Sequence, residues 1–176
     1  IQSRCAPFRF SYLSKEDQDL YLRRIIEQEN IKILDEGFNA IFEVCEGDLR
    51  RATNTLQAAA SLGKVIDAET VYSVIGRANP ADVREMVTLA MKGDFIGARQ
   101  RLREMILKYG VAGSDIIKQI HIEIFRSGLP DQWKVKLADA IGEIDFRLVQ
   151  GADEEVQLSA LLARLTEAGY ELKRGG

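Results

Sequence analysis

The sequence is poor in cysteine and histidine, the usual ligands of a structural zinc. It holds two cysteines, Cys5 and Cys45, and one histidine, His121, among 176 residues. No cysteine pair stands at metal-ligand spacing and no cysteine clusters with the histidine, which argues against a structural zinc centre. No secretory signal is read, so the expectation is two reduced thiols in the cytoplasm rather than a disulfide. No apolar run approaches the roughly 18 residues that a membrane helix needs. An excess of positive charge is also missing: 24 Lys+Arg stand against 27 Asp+Glu, a net charge of −3. Surfaces that mainly grip nucleic acid are usually basic, because phosphate neutralisation supplies most of the affinity. The chain is therefore not read as a main DNA-gripping surface, although local basic patches remain open. Finally, no Gly-x-x-x-x-Gly-Lys-Ser/Thr string occurs. Lys64 follows Gly63, but Ala58 stands where the leading glycine would be, so a phosphate cradle of the P-loop kind is missing.

What is present is helix. Hydrophobic residues make up 46% and charged residues 29%, the balance of a globular protein. Only three prolines interrupt the chain, and apolar residues recur mostly at helical spacing. Ser14-Lys15-Glu16-Asp17 reads as a capping-box start, with Leu22, Ile25 and Ile26 forming the apolar stripe behind it. Asp35 is expected to cap a second helix that turns Phe38, Ile41, Phe42 and Cys45 inward. Gly47 breaks that helix and Asp48 caps a third, striped by Leu49, Ala52, Leu56, Ala59 and Ala60. These three helices form a small bundle over roughly residues 12 to 63.

After a short linker at 63–67, Asp67 caps a helix from 68 to 75, and Asn79 with Pro80 starts the next. Longer helices are expected at 81–92, 94–109, 113–125, 132–150 and 154–168, punctuated by Gly93, Gly110, Gly128 and Gly151. The fold class is all-α, with one unit at 1–66 and a larger one at 67–176. Charge does not separate them: residues 1–66 carry 9 basic and 10 acidic residues, the remainder 15 and 17.

Few side chains here suggest chemistry. Arg4 offers a fixed charge and a planar fork suited to phosphate oxygens, or is simply a solvated arginine. Arg50 falls in the first turn of the third helix, where a cation works against the helix dipole. It therefore calls for a partner, either a nearby carboxylate (Asp48, Glu46 or Glu43) or a ligand. Arg51 points about 100° further round the helix and should not substitute for it. Ile31-Lys32-Ile33-Leu34-Asp35-Glu36 mimics the apolar strand ending in Asp-Glu that holds magnesium in many ATPases. The run is short, contains a lysine and leads into a helix, so Asp35 is read as a cap. Cys45, beside Ile41 and Val44, is read as a small buried hydrophobe. His121 is read as a packed or interface side chain rather than a catalytic base, because no carboxylate-nucleophile set accompanies it.

Ser3-Arg4-Cys5, followed by Glu46-Gly47-Asp48-Leu49-Arg50-Arg51-Ala52 and Asn54-Thr55-Leu56-Gln57, resembles the small subunits of archaeal replication factor C. These are sliding-clamp loaders of the AAA+ ATPase class. The string Ile117-Lys118-Gln119-Ile120-His121 and the stretches 144–154 and 157–162 are similar to the same family, and the matches run over essentially the whole chain. The resemblance implies a three-helix AAA+ lid at 1–66 and a helical collar at 67–176 that closes subunits into a ring. It implies that Arg4 is an arginine finger reaching a neighbouring subunit's ATP. Arg50 would be the second sensor arginine, on its own subunit's ATP. Phe8-Arg9-Phe10 would enter the lid just after the finger and pack in the bundle.

The ATP-Mg pocket itself would lie mostly before Ile1, so the chain alone is not expected to hydrolyse ATP. The implied partners are the large subunit, further copies of the small subunit, the sliding clamp and primer-template DNA. Two alternatives stay open. One is a non-catalytic helical oligomerisation module, which would not need Arg4 or Arg50. The other is the lid of another AAA+ replication ATPase. An origin-binding initiator is disfavoured, because nothing past Asp67 is strongly basic or strand-like.

Overall fold

The computed structural model describes residues 13–174. Chain contacts divide it into two compact units, residues 1–74 and 75–176. Both are helical, and no strand forms among the described residues.

The first unit contains α1 (Lys15–Gln28), α2 (Asp35–Cys45), α3 (Leu49–Ala60) and, but for its last residue, α4 (Ala68–Ile75). Ser14 caps α1 by accepting from the Asp17 N–H. Asp48 caps α3 by accepting from the Arg51 N–H at 3.0 Å. Asp67 caps α4 by accepting from the Thr70 N–H at 2.8 Å. Each cap satisfies one of the amides that a helix start leaves without an intrahelical acceptor.

Asp35 differs from expectation. It is the first helical residue of α2, and Leu34 occupies the cap position with no side-chain bond. The cause is long-range. The Leu34 N–H donates to the Ile66 carbonyl at 2.8 Å, and the Ile66 N–H to the Lys32 carbonyl at 2.8 Å. This isolated parallel bridge, Ile33 to Ile66, holds Leu34 extended. Asp35 and Glu36 then sit in the first turn, where negative charge complements the dipole. Gly37 lies against the same segment: a Cβ there would come within 2.6 Å of the Ile66 carbonyl oxygen. Leu22, Ile41, Val44, Cys45, Ala52, Leu56 and Ile66 are almost wholly buried. Each large one contributes about 1.5–3 kcal/mol by leaving water.

The second unit contains α5 (Pro80–Lys92), α6 (Phe95–Arg103), α7 (Gly113–Arg126), α8 (Asp131–Val149) and α9 (Glu154–Arg174). The helix expected over 94–109 changes pitch midway, and Glu104–Lys108 form a π-helical turn. The last helix runs to Arg174, further than the apolar pattern alone suggested. α9 is central and packs on α5, α6, α7 and α8. Its Leu158, Leu161, Leu162 and Leu165 are fully buried, in one cluster with Met86, Leu102, Ile116, Ile120 and Ile144, and Ala168 is fully buried as well. Gly169 lets α9 cross α5 closely, since any Cβ would collide with the Met91 carbonyl oxygen. Beyond the crossing, Tyr170 Oη donates to the Gly93 carbonyl at 3.2 Å and Lys173 Nζ to the Lys92 carbonyl at 2.6 Å. α9 thereby satisfies carbonyls that the end of α5 leaves without intrahelical donors. Trp133, on α8, is buried beneath Lys136, whose ammonium lies 4.4 Å from the ring centroid.

Candidate functional site

The turn between α2 and α3 carries the site. Glu46 and Gly47 both adopt left-handed backbone, with φ of 52° and 85°. Glycine is the residue that enters this region without steric cost. The reversal is closed by the Asp48 N–H donating to the Cys45 carbonyl at 3.0 Å. Buried Cys45, whose Sγ lies 3.8 Å from Thr55 Oγ1, anchors the end of α2 against α3. With Asp48 as cap, Leu49 and Arg50 are the first two helical residues. The side chains of Arg50 and Arg51 are exposed, whereas Ala52 is fully buried.

None of the nearby carboxylates takes Arg50. Asp48 is engaged by the Arg51 amide, and Glu43 accepts from Tyr72 Oη at 2.8 Å. Among the described residues, every ion pair lies between Arg77 and Arg164, in the second unit. The backbone N–H groups of Leu49 and Arg50 likewise have no acceptor among the described residues. The positive end of α3 thus presents two open amides and an unpaired guanidinium. Chemically this is an anion-receiving locus, of the kind that suits phosphate oxygens.

The other expected site residue, Arg4, lies outside the described residues, as do Cys5 and Phe8-Arg9-Phe10. His121 is exposed on α7, with its ring 4.7 Å from that of Phe125. That placement rules out a core histidine and leaves a surface or interface one. At the 31–36 run the structure has the bridge and the helix start described above. Among the described residues, no three carboxylate, histidine or cysteine side chains gather as a metal site would require.

Two charged assemblies went unread in the sequence. Arg101 holds Glu85 at 2.7 Å and Glu104 at 3.0 Å, with Asp82 at 3.8 Å. Its guanidinium pKa is raised above the usual range, chiefly by the hydrogen bonds to Glu85 and Glu104. Glu123, nearly buried, accepts from Arg84 at 2.9 and 3.3 Å and from Gln119 at 3.3 Å. The Glu123 bonds raise the Arg84 pKa. The Arg101–Glu104 spacing of three is visible in a helix pattern. The pairs between α5 and its neighbours have no local signal.

The sequence matches known proteins over nearly its whole length. Residues 78–164 fit the family model for the replication factor C C-terminal domain. Residues 20–61 fit that for an RCF1/5-like, AAA+ ATPase lid domain. The replication factor C small subunit of Staphylothermus marinus is 53% identical over 175 residues, which is 98% of this chain and 53% of that protein. The chain belongs to the replication factor C small-subunit family. The Aeropyrum pernix small subunit is 49% identical over 98% of the chain and 54% of its own length. The Pyrococcus horikoshii one is 52% identical over 96% of the chain and 20% of its own length. The chain therefore spans about half, or less, of these replication factor C relatives. Its architecture is a helical AAA+ lid followed by a collar, and Asp48 and Arg50 fall inside the lid match.

Proposed function

We propose that this chain is the lid and collar of a clamp-loader small subunit, whose parent protein uses ATP to open a sliding clamp and load it onto primer-template DNA. The carrying observation is Arg50: exposed at the amino terminus of α3, beside two open amides, and taken by none of the carboxylates around it. The locus fits a polyphosphate. Arg50 would hold terminal phosphate oxygens of the subunit's own ATP, and the Leu49 and Arg50 amides would add directional donors. ATP, when bound, supplies the transferable phosphoryl group, with magnesium as its companion ion. The phosphate cradle and the metal ligands would come from other parts of the parent protein. Because Arg50 sits on a helix fixed by the Asp48 cap and buried Ala52, its engagement would set the position of the whole lid. Arg4, supplied across a subunit interface, would stabilise charge developing on the neighbour's phosphoryl group. The collar would join copies of this subunit and the large subunit around the ring.

The test is ATP turnover by the full-length parent with clamp and primed DNA. Arg4→Ala is expected to retain ATP binding and lose stimulated turnover, by about 10³-fold or more for a finger. Arg50→Ala is expected to weaken the coupling of nucleotide binding to clamp opening. Unchanged turnover and clamp opening in both variants would refute the reading and leave an assembly module whose arginines are incidental.

A further inference from the structure

Two outward helix faces in the second unit are apolar where water should meet polar residues. On α8, Val135, Asp139, Gly142, Phe146 and Val149 recur at spacings of four and three, along one line of the helix. The buried residues Leu137, Ile141 and Ile144 occupy the opposite side. Val135 is 70% exposed, Phe146 65% and Val149 74%. A helix packed on one side normally turns charged residues outward. This face turns out three large apolar side chains, one carboxylate and a glycine. The glycine is unfavourable inside a helix, and no atom lies within 4 Å of where its Cβ would be.

The second face runs along α6 into the π turn. Ile96 is 71% exposed and Leu107 68%. Together with Arg103 they line an open groove of about 500 Å³. π turns are rare and concentrate at functional sites. This one leaves Met105 buried and Leu107 outside. Arg103 and Arg99 share a single carboxylate, Glu155, at 3.4 and 2.7 Å, so one positive charge is in excess. Asp139 has no ion pair among the described residues.

The two faces match when laid antiparallel. Eleven residues separate Ile96 from Leu107, and eleven separate Val135 from Phe146, a span of about 16 Å along the continuous helix α8. With Ile96 opposite Phe146 and Leu107 opposite Val135, Arg103 falls opposite Asp139. Gln100 then meets Gly142, where the missing side chain lets two helices approach.

We infer that these faces are the two halves of one head-to-tail contact, α6 of one copy seated on α8 of a second copy of this chain. The inference rests on the proposed reading of the second unit as the assembling part, and adds the surfaces that do it. Each copy keeps one free face of each kind, so association propagates to a ring or a chain of copies.

The experiment is sedimentation of the 176-residue chain in five forms: wild type, Arg103→Glu, Asp139→Arg, both substitutions in one chain, and an equimolar mixture of the two single variants. The wild type should self-associate. Each single variant, which sets like charges opposite each other, should weaken association about tenfold or more. The double variant and the mixture should both regain it, because each restores an opposite-charge pair at the contact. Both substituted residues lie on solvent, so helical circular dichroism should not change. Association that ignores the single variants, or losses that neither swap rescues, would overturn this pairing of faces while leaving collar assembly intact. A wild-type chain that stays monomeric would overturn the pairing and the self-assembly reading together.

Discussion

Asp48 and Arg50 stand two residues apart and have opposite relations to stability. Asp48 satisfies a helix-start amide, so Asp48→Ala should lower unfolding free energy by about 1 kcal/mol in urea titrations. Arg50 is an exposed cation at the wrong end of a dipole, and Arg50→Ala should leave stability unchanged or raise it by about 0.3–1 kcal/mol. A loss as large as that of Asp48→Ala would mean that Arg50 supports the fold rather than faces a ligand. Asp67 adds a pH signature. Its carboxylate pKa is lowered, first by the Thr70 side-chain bond and then by the Thr70 amide. A lowered folded value means that the ionised form favours the native state. Its contribution is therefore present above the ordinary carboxylate range and is lost as the pH falls through the folded value, below about pH 4. The stability gap between wild type and Asp67→Asn should close over that window. The positions of all three residues were legible in the sequence, because Gly47-Asp48 and the flanking apolar stripe mark one helix start locally and Asp67 at the end of a short linker marks another. Which carboxylate Arg50 would choose was not legible. That depends on Glu43 being occupied by Tyr72, a contact 29 residues apart in sequence.

Among the elements, the crossing of α5 and α9 is the least tolerant. Gly169→Ala would push a methyl group into the Met91 carbonyl, a backbone atom that cannot rotate away. The expected cost is about 1–3 kcal/mol, read as a lower midpoint in thermal unfolding. Gly142→Ala should do the reverse, because its surroundings are open. It should stabilise the isolated chain by about 0.5–1 kcal/mol while weakening self-association in the same samples. Helix existence and most starts followed from periodicity and caps. Two departures did not, and the first has a non-local cause. Leu34 rather than Asp35 holds the α2 cap position because Ile66, far along the chain, fixes it extended. In the α6 region, the Tyr109 N–H reaches the Glu104 carbonyl at 3.3 Å and the Val111 N–H the Met105 carbonyl at 3.0 Å. Those bonds widen the turn in a stretch whose residues all read as ordinary helix formers.

The whole molecule has two separately cored units. Family membership was legible because the motif order survives in the sequence; the outer faces of α6 and α8 were not, since exposure is a property of the folded surface. Trp133 gives this organisation a practical consequence. It is the sole tryptophan, it is buried, and it belongs to the second unit. Indole emission therefore registers the melting of one unit only, whereas far-ultraviolet dichroism registers both. Gly37→Ala, which crowds the Ile66 carbonyl in the first unit, should move the dichroism curve and leave the emission curve in place. Gly169→Ala should move both. A single native chromophore thus tells apart damage to the lid from damage to the collar, with no label added.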